Sequence, residues 1–207
     1  LVSGENNPTL DAGVFLRAGL GDYVWNDINA NGQQDGFEPG TNGIVARLYR
    51  DTDDDGVAEP GGDDGAFLAT TNTYNNGVGD GFYSFTNLIP GRYFVEFVAP
   101  VGMVFSPADA VGDAADSDVN ALGVSPVVTL SSGQYDPTWD AGIYVPSAIM
   151  LDKSPDLQLV TAGSNATFVI TVTNTGLTTL TNVFVRDPAG VACERLLGTL
   201  APDEVAV

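Results

Sequence analysis

The sequence of 207 residues contains no histidine, one cysteine and only 7 basic residues against 27 acidic ones, a formal net charge of −20. Without histidine the chain cannot build Ser-His or Cys-His nucleophilic pairs, and it lacks the commonest protein metal ligand. One cysteine cannot form an internal disulfide framework. Nucleic acid and anionic membrane surfaces are excluded as natural partners, since both require basic patches.

No run approaches the roughly 18 apolar residues of a membrane span, so none is predicted in this segment. The chain is nevertheless 43% hydrophobic, with 10 Phe, 7 Tyr and 2 Trp, which is too apolar for a disordered acidic tail. The 25 glycines and 12 prolines favour short strands joined by turns, and no stretch has helical periodicity. We therefore predict an all-β protein.

Alternating apolar runs bounded by turn residues predict the strands and the domains. Seven or eight strands between residues 19 and 146 suit one β-sandwich: 21–25, 43–50, 66–73, 81–86, 91–98, 123–130 and 138–145. A second series follows at 149–153, 157–161, 166–173, 181–186, 194–200 and from about 204. Residues 19–146 carry 19 acidic and 3 basic residues, whereas 147–207 carry 6 and 3. We expect two Ig-like or prealbumin-like β-sandwich domains in tandem, with a boundary near 146.

A short motif occurs twice, 129 residues apart. Thr9-Leu-Asp-Ala-Gly-Val-Phe15 matches Thr138-Trp-Asp-Ala-Gly-Ile-Tyr144. Residues 1–18 are either the last strand of a preceding copy of the acidic domain or a donor strand that completes a neighbouring molecule's sheet. The sequence leaves both alternatives open.

The acidic loop at 27–38 has the spacing of a calcium-binding loop. Oxygen-bearing side chains stand at positions 1, 3, 5, 9 and 12, namely Asp27, Asn29, Asn31, Asp35 and Glu38. Gly32 at position 6 permits the sharp turn, and Gln33 at position 7 would supply a backbone carbonyl. The flanking helices of an EF-hand are missing, so we predict an EF-hand-like loop in a β context. A solvated turn is the alternative.

A second cluster repeats part of this pattern. Asp51, Asp53, Asp55 and Gly56 take positions 1, 3, 5 and 6, and Val57 takes position 7. Position 12 is Gly62, with Glu59, Asp63 and Asp64 nearby. Crowded aspartates repel one another unless a cation lies among them. Asp63 and Asp64 are therefore candidate ligands, and a disordered acidic loop is the alternative.

A third acidic group lies in a long segment without a strand pattern, at Asp109, Asp113, Asp116 and Asp118. Either a shared cation orders this segment or the loop is solvated. Asp80, which precedes the 81–86 strand, could add a ligand from across a sheet. Every candidate donor is a hard oxygen, which favours Ca²⁺ over zinc or copper, and Mg²⁺ tends to keep its waters.

Several linked motifs resemble the SdrD B-like domain of bacterial surface proteins, over about residues 19–146. They are Gly21-Asp-Tyr-Val-Trp-Asn-Asp27, the Asn-x-Asn-Gly loop, Asp80-Gly-Phe-Tyr-Ser-Phe85, Leu88-Ile-Pro-Gly-Arg-Tyr93, Asp116-Ser-Asp118 and Asp140-Ala-Gly-Ile-Tyr144. The resemblance implies a calcium-stabilised β-sandwich, often in tandem as a stalk. It also implies that Asp27, Asn29, Asn31, Asp35 and Glu38 are calcium ligands. The sequence departs from the family around 51–65, where the acidic loop is longer.

Residues 147–207 resemble another surface repeat, the Ig-like domain-of-unknown-function-eleven family. The matching pieces are Leu151–Ser154, Phe168–Gly176, Thr181–Pro188 and Gly198–Pro202. The resemblance implies one more strand after the Leu-Ala-Pro turn, so this domain is expected to be truncated or completed by another molecule. Some members of the family have a second cysteine that could pair with one placed like Cys193.

These features favour a non-enzymatic structural module of an extracellular bacterial stalk, adhesin or fibre, rigidified by calcium. Expected partners are neighbouring domains, or identical subunits if the chain polymerises by strand donation. The alternative is a ligand- or carbohydrate-binding adhesin module. An enzyme is disfavoured, because the carboxylates have metal-loop spacing and no second catalytic group stands out. The expected location is the bacterial cell surface or a secreted fibre.

Overall fold

The computed structural model describes residues 12–112, 114–187 and 194–207, which fall into two compact units. Within these ranges the chain forms fourteen β-strands and contains no helix long and apolar enough to span a membrane. The predicted all-β class is confirmed. Predictions for residues 1–11, Asp113 and Cys193 lie outside the described residues.

Nine strands build the first unit, which ends at Tyr144. They are β1 (Ala18–Asn26), β2 (Val45–Arg50), β3 (Ala69–Asn72), β4 (Phe82–Leu88), β5 (Gly91–Val98), β6 (Val104–Phe105), β7 (Val128–Leu130), β8 (Tyr135–Asp136) and β9 (Ala141–Tyr144). One sheet has the order β4-β1-β9-β6, with β8 also paired to β1, and the other has the order β3-β2-β5-β7.

Alternation along the strands builds the core of this unit. Trp25, Tyr83 and Phe97 are among its largest fully buried side chains, and the rings of Tyr83 and Phe97 meet edge to face with centroids 5.1 Å apart. Phe94, on the opposite face of β5 from Phe97, stacks on Tyr49 at 5.0 Å in a smaller cluster. Both faces of β5 therefore bury aromatic rings.

Strand β9 lies between β1 and β6, beside the start of the first acidic loop. It pairs with β1 in parallel and with β6 antiparallel. Its register places Ile143 opposite Asn26, the last residue of β1. The chain therefore leaves β1 directly beside β9, and the first acidic loop starts at that point.

The second unit contains β10 (Ile149–Ser154), β11 (Val169–Asn174), β12 (Leu180–Val185), β13 (Arg195–Leu200) and β14 (Val205–Ala206). Its sheets are β10-β11-β14 and β12-β13, around a small core of Val172, Val185 and Leu200. Every residue of β10 is exposed, and β14 pairs with only two residues of β11. A second domain that is incomplete in this chain stays a prediction.

Three details differ from the strands predicted above. The strand at 157–161 was wrong, because this segment is exposed and leads into a turn closed by Ser164 N–H donating to the Thr161 carbonyl. No pattern in the sequence predicts β6 or β8. Each has only two residues, too few to display an alternating pattern.

Candidate metal-binding loops

The first acidic loop, residues 27–38 (loop 1), starts from a buried carboxylate. Asp27 is fully buried, and its backbone N–H donates to the Ile143 carbonyl at 2.9 Å. Its carboxylate accepts from the N–H groups of Asn31 (3.2 Å) and Gly32 (2.8 Å). Gly32 has φ of 78°, and a Cβ there would collide with the Pro107 carbonyl oxygen. Glycine is therefore required at position 6.

The middle of loop 1 turns its side-chain oxygens towards the loop's own backbone. Asn29 Oδ1 accepts from Asn31 N–H at 3.0 Å, and Asn31 Oδ1 accepts from Gln33 N–H at 2.8 Å. The amide nitrogens of both asparagines donate to Asp35 Oδ2, at 2.8 and 3.1 Å. The side chains at positions 1, 3, 5 and 9 are thus linked by hydrogen bonds within the loop.

Glu38 closes the loop from its other end. Its Oε1 accepts from Ile28 N–H at 2.8 Å, and its Oε2 accepts from Asp35 N–H at 3.1 Å. The carboxylate therefore bonds the N–H groups of positions 2 and 9. All five predicted side chains of loop 1 lie in this one network.

Asp116 is brought against loop 1 by a separate segment. It forms an isolated β-bridge with Gln33, and Ser117 N–H donates to the Gly32 carbonyl at 3.0 Å. Asp116 is 2% exposed, and its Oδ2 accepts from Val111 N–H at 2.8 Å. Its buried Oδ1 has no hydrogen-bond partner within the described residues. A buried carboxylate oxygen without a partner is costly, which makes Asp116 a candidate to complete this site.

The second acidic loop, residues 51–64 (loop 2), begins where β2 ends and follows the same scheme. Asp51 is buried, and its Oδ2 accepts from Gly56 N–H at 3.0 Å. Asp53 Oδ1 accepts from Asp55 N–H at 3.3 Å, and Asp55 Oδ1 accepts from Val57 N–H at 2.7 Å. Each bond joins the same loop positions as its counterpart in loop 1.

Asp64 closes loop 2. Its Oδ1 accepts from Thr52 N–H at 2.8 Å and its Oδ2 from Glu59 N–H at 3.1 Å, the N–H groups of positions 2 and 9. Asp64 therefore does what Glu38 does in loop 1, although it stands at position 14. Asp63 is exposed, and its backbone carbonyl, not its carboxylate, accepts from Thr52 Oγ1.

Carboxylate oxygens crowd together in loop 2. Asp51, Asp53 and Asp64 have oxygens within 4.8 Å of one another, and so do Asp53, Asp55 and Glu59. Within the described ranges these are the groups of three or more such side chains that could hold an ion. Desolvation, followed by repulsion from Asp63 and Asp55, raises the pKa of Glu59. Glu59 is therefore a further candidate ligand in loop 2, although the sequence pattern did not predict it as one.

Arg92, on β5, supplies positive charge to loop 2. Its Nη1 lies 3.4 Å from Asp51 Oδ2 and 3.6 Å from Asp54 Oδ1, and it also donates to the Asp54 carbonyl. The Asp51 carboxylate is fully buried in this pair. Arg92 thus neutralises part of the charge that the acidic side chains of loop 2 bring together.

The third acidic group is not one cluster among the described residues. Asp116 lies against loop 1, whereas Asp118 Oδ2 accepts from Asp140 N–H at 2.6 Å, beside the start of β9. Asp80 lies elsewhere, where its Oδ1 accepts from the side-chain amides of Asn42 and Asn75, both at 2.7 Å. These two hydrogen bonds lower the pKa of Asp80.

Asp140 is a buried acid that the site prediction omitted. Its Oδ1 accepts from Tyr23 N–H at 2.9 Å, and its Oδ2 accepts from the side-chain amide of Gln34 at 3.1 Å. Burial, with the nearby carboxylates of Asp22 and Asp118, raises the pKa of Asp140 to about 9. The signal was in the sequence, since Asp140 belongs to the repeated motif. Asp140 links the closing strand to loop 1 through Gln34.

The fold and the two acidic loops place the chain among acidic β-sandwich modules. The family model of the SdrD B-like domain matches residues 18–143, so the chain belongs to the SdrD B-like domain family. The family resemblance predicted from the motifs is confirmed. Family membership also puts the chain at the bacterial cell surface, the location predicted above.

Similar proteins are found in Staphylococcus aureus. Serine-aspartate repeat-containing protein D of strain Newman is 34% identical over 155 residues, which cover 70% of this chain and 10% of the relative. Bone sialoprotein-binding protein of strain MRSA252 and serine-aspartate repeat-containing protein E of strain MSSA476 are both 34% identical over 153 residues, covering 70% of this chain and 12% of each relative. The chain spans about a tenth of the length of the relatives it matches. It is similar to one part of larger, repeat-containing surface proteins.

Proposed function

We propose that the first unit is a non-enzymatic structural module that binds Ca²⁺ at loop 1 and loop 2 and is rigidified by it. The observation that carries this proposal is the bonding scheme common to the two loops. In both, backbone N–H groups of the loop hold the oxygens of positions 1, 3 and 5, and one carboxylate bonds the N–H groups of positions 2 and 9. Two different sequences reach this one arrangement, which supports a common ligand.

The donor sets favour calcium. For loop 1 we assign Asp27, Asn29, Asn31, the Gln33 carbonyl, Asp35 and Glu38, with Asp116 as an additional ligand. For loop 2 we assign Asp51, Asp53, Asp55, the Val57 carbonyl, Glu59 and Asp64. All are oxygen donors, and Ca²⁺ takes six to eight such ligands, whereas Mg²⁺ keeps several waters. Asp63, Asp80 and Asp118 make other contacts and are left outside both sets.

Calcium would rigidify the module by neutralising the negative charge of the acidic loops. At a net charge of −20, the acidic loops repel themselves and each other unless cations neutralise them. A ligand that binds only the folded state adds RT ln(1 + [L]/Kd) to the free energy of unfolding. Millimolar calcium over a ~10 µM site therefore adds roughly 3 kcal/mol per site. In low calcium the loops should open before the core does.

For the whole protein, we propose that this module is a spacer in a cell-surface stalk or adhesin. A calcium-stiffened sandwich holds the domains before and after it at a fixed separation, and it needs no catalytic group. The partners would be neighbouring domains. Family membership and the larger size of the relatives support this role.

A cleft of about 430 Å³ is the candidate binding site for the alternative function, a ligand-binding adhesin module. Asp22, Tyr23, Asp80 and Phe82 line it, together with residues of loop 1 that include Asp35 and Glu38. Trp25 also lines the cleft but is fully buried, so it offers no open face for a sugar. Binding of a saccharide that Tyr23→Ala removes would favour the adhesin alternative.

Isothermal titration with calcium and with magnesium tests the metal proposal. The wild-type chain should bind calcium at two classes of site, Asp27→Asn/Glu38→Gln should lose one class, and Asp51→Asn/Asp64→Asn should lose the other. Asp80→Asn is the matched control, because it removes an acidic charge outside both loops. If both double variants keep the wild-type stoichiometry, the ligand assignment is wrong.

A further inference from the structure

Asparagine followed directly by glycine occurs at three places in the sequence. The pairs are Asn31-Gly32, Asn42-Gly43 and Asn76-Gly77. Asparagine before glycine is prone to spontaneous deamidation, because glycine has no Cβ to keep its backbone nitrogen away from the asparagine side chain. The three pairs share this chemistry in an unfolded chain, so a difference in their reactivity must come from the folded structure.

Deamidation requires both the asparagine side chain and the following backbone to move. The glycine nitrogen bonds to Cγ of the asparagine, and the side-chain nitrogen leaves as ammonia, taking the proton of the glycine N–H. Water then opens the cyclic succinimide at either carbonyl, which gives aspartate or isoaspartate. A glycine N–H or a side-chain amide that is hydrogen-bonded to the rest of the fold must first lose those bonds.

Asn31-Gly32 is held inside loop 1. Gly32 is buried, and its N–H donates to the Asp27 carboxylate at 2.8 Å. The Asn31 side chain donates to Asp35 Oδ2 at 3.1 Å and accepts from Gln33 N–H at 2.8 Å. Attack by the glycine nitrogen therefore requires loop 1 to open.

Asn42-Gly43 is exposed but is bonded to other parts of the sandwich. The Asn42 side chain donates to Asp80 Oδ1 at 2.7 Å and accepts from Gly81 N–H at 2.8 Å. Gly43 N–H donates at 2.8 Å to the carbonyl of Thr73, which follows β3 directly. Exposure alone does not make this pair reactive, because these bonds must break before the attack.

Asn76-Gly77 lies in the turn between β3 and β4, and both residues are exposed. Asn76 Oδ1 accepts from the N–H groups two and three residues further on, at 2.9 and 3.0 Å. Gly77 N–H donates to the side chain of Asn75 at 2.8 Å. These bonds lie within the turn and face water, so they can open without loss of packing in the sandwich.

We infer that Asn76 is a site of spontaneous deamidation in the folded protein, whereas Asn31 and Asn42 are protected. Asn76 lines the cleft that Asp35 and Asp80 also line. Deamidation therefore adds a carboxylate to a rim that is already acidic, and isoaspartate also lengthens the backbone of the turn. The reaction needs only water, so the modified form accumulates with the age of the protein.

Peptide mapping by mass spectrometry of the 207-residue chain tests the inference. The chain is incubated in calcium at mildly alkaline pH, and the gain in mass from amide to carboxyl is followed at each pair. In the folded chain Asn76 should deamidate at least about tenfold faster than Asn31 or Asn42, to both aspartate and isoaspartate. In concentrated urea with chelator the three rates should converge. Equal rates at Asn76 and Asn42 in the folded chain would overturn the inference.

Two glycine variants test the succinimide route. Gly77→Ala places a Cβ beside the attacking nitrogen and should slow deamidation of Asn76 by about tenfold. Gly79→Ala is the matched control in the same turn, because it does not follow an asparagine and its Cβ would meet no atom of the described residues within 4 Å. It should leave the rate unchanged. No slowing by Gly77→Ala, or the same slowing by both variants, would overturn the inference.

The comparison between Asn76 and Asn42 is independent of calcium binding. The hydrogen bonds that hold Asn42 and Gly43 join them to Asp80, Gly81 and Thr73, which belong to neither loop 1 nor loop 2. Loss of protection at Asn31 alone would therefore report on loop 1 and leave the assignment of Asn76 intact.

Discussion

Loop 1 and loop 2 hold their oxygens with equivalent backbone bonds but differ in charge. The side chains assigned within loop 1 include three carboxylates and two amides, and the two asparagines donate to Asp35. In loop 2 the equivalent set is five carboxylates, with Arg92 beside them. Backbone geometry, not charge, is therefore the common element. We therefore expect loop 2 to depend on a cation more than loop 1 does, since its side chains have few internal donors.

The two loops also differ in how far they are bonded to the sandwich. Loop 1 is joined to β9 through Asp27 and to the 115–117 segment through Gly32 and Gln34. Loop 2 is joined to β5 through Arg92, whose carbonyl accepts from Asp51 N–H at 3.2 Å. Loss of metal from loop 1 should therefore weaken the whole unit. Loss from loop 2 should act mainly on the loop itself.

The largest expected effect comes from Asp27→Asn. This variant keeps the size of the buried side chain but removes the charge at position 1, so millimolar calcium should lose about 3 kcal/mol of its stabilisation. Urea unfolding in calcium and in chelator measures the difference. Asp51→Asn is the matched change in loop 2 and should cost less in global stability. Equal losses would contradict the difference in bonding between the loops.

Over any one pH unit, the pH dependence of stability without calcium should come next in size. Because the pKa of Asp140 is raised to about 9, the folded state keeps a proton that the unfolded chain loses near pH 4. Stability should therefore fall as pH rises between about 4 and 9, by at most ~1.4 kcal/mol per pH unit from this group. Asp140→Asn should flatten the slope measured by urea unfolding in chelator. Parallel slopes for both proteins would refute the assignment.

Arg92→Ala should change loop 2 in two opposite directions. Removing a positive charge beside Asp51 should raise the calcium affinity of loop 2, by roughly tenfold or less. The same change should lower stability in chelator, because buried Asp51 loses its ion pair. Titration calorimetry measures the first effect and urea unfolding the second. Arg17→Ala, which removes a guanidinium bonded to the Asn87 carbonyl, is the control and should alter neither property of loop 2.

The smallest expected effect is that of Asp64→Asn, and it should be local. Hydrogen exchange in calcium should speed up at Thr52 and Glu59, whose N–H groups donate to the Asp64 carboxylate. The core should change little. Glu38→Gln should extend faster exchange from loop 1 to the end of β1. If Asp64→Asn speeds up hydrogen exchange through the core as well, the two loops are equally coupled to the fold.

Sequence reasoning could predict the hydrogen-bonded network of loop 1 because its candidate ligands follow a fixed spacing within one short loop. Positions 1 to 12 can be read along the chain, and the glycine at position 6 follows from backbone geometry. The closing residue of loop 2 could not be identified in this way. Asp64 reaches the N–H groups of positions 2 and 9 only through the conformation of residues 60–63, which no fixed spacing encodes.

Residues that meet across the fold were harder to predict. Asp116 and Asp118 were grouped by sequence proximity, yet Asp116 lies against loop 1 and Asp118 beside Asp140. Regular alternation would put residues two apart on the same face, but this segment is not a regular strand: Asp116 bridges Gln33 and Ser117 bridges Ala108. Proximity along the chain therefore does not indicate a shared site. Asp140 was visible in the repeat, but its burial depends on the pairing of β9 with β1.

Thermal unfolding in calcium, in magnesium and in excess chelator tests the central claim most directly. We expect a large rise in melting temperature that is specific to calcium, is reduced by Asp27→Ala with Glu38→Ala, and is abolished when Asp51→Ala and Asp64→Ala are added. The same melting temperature in all three conditions would mean that the acidic loops are merely solvated. That result would contradict the calcium-rigidified module.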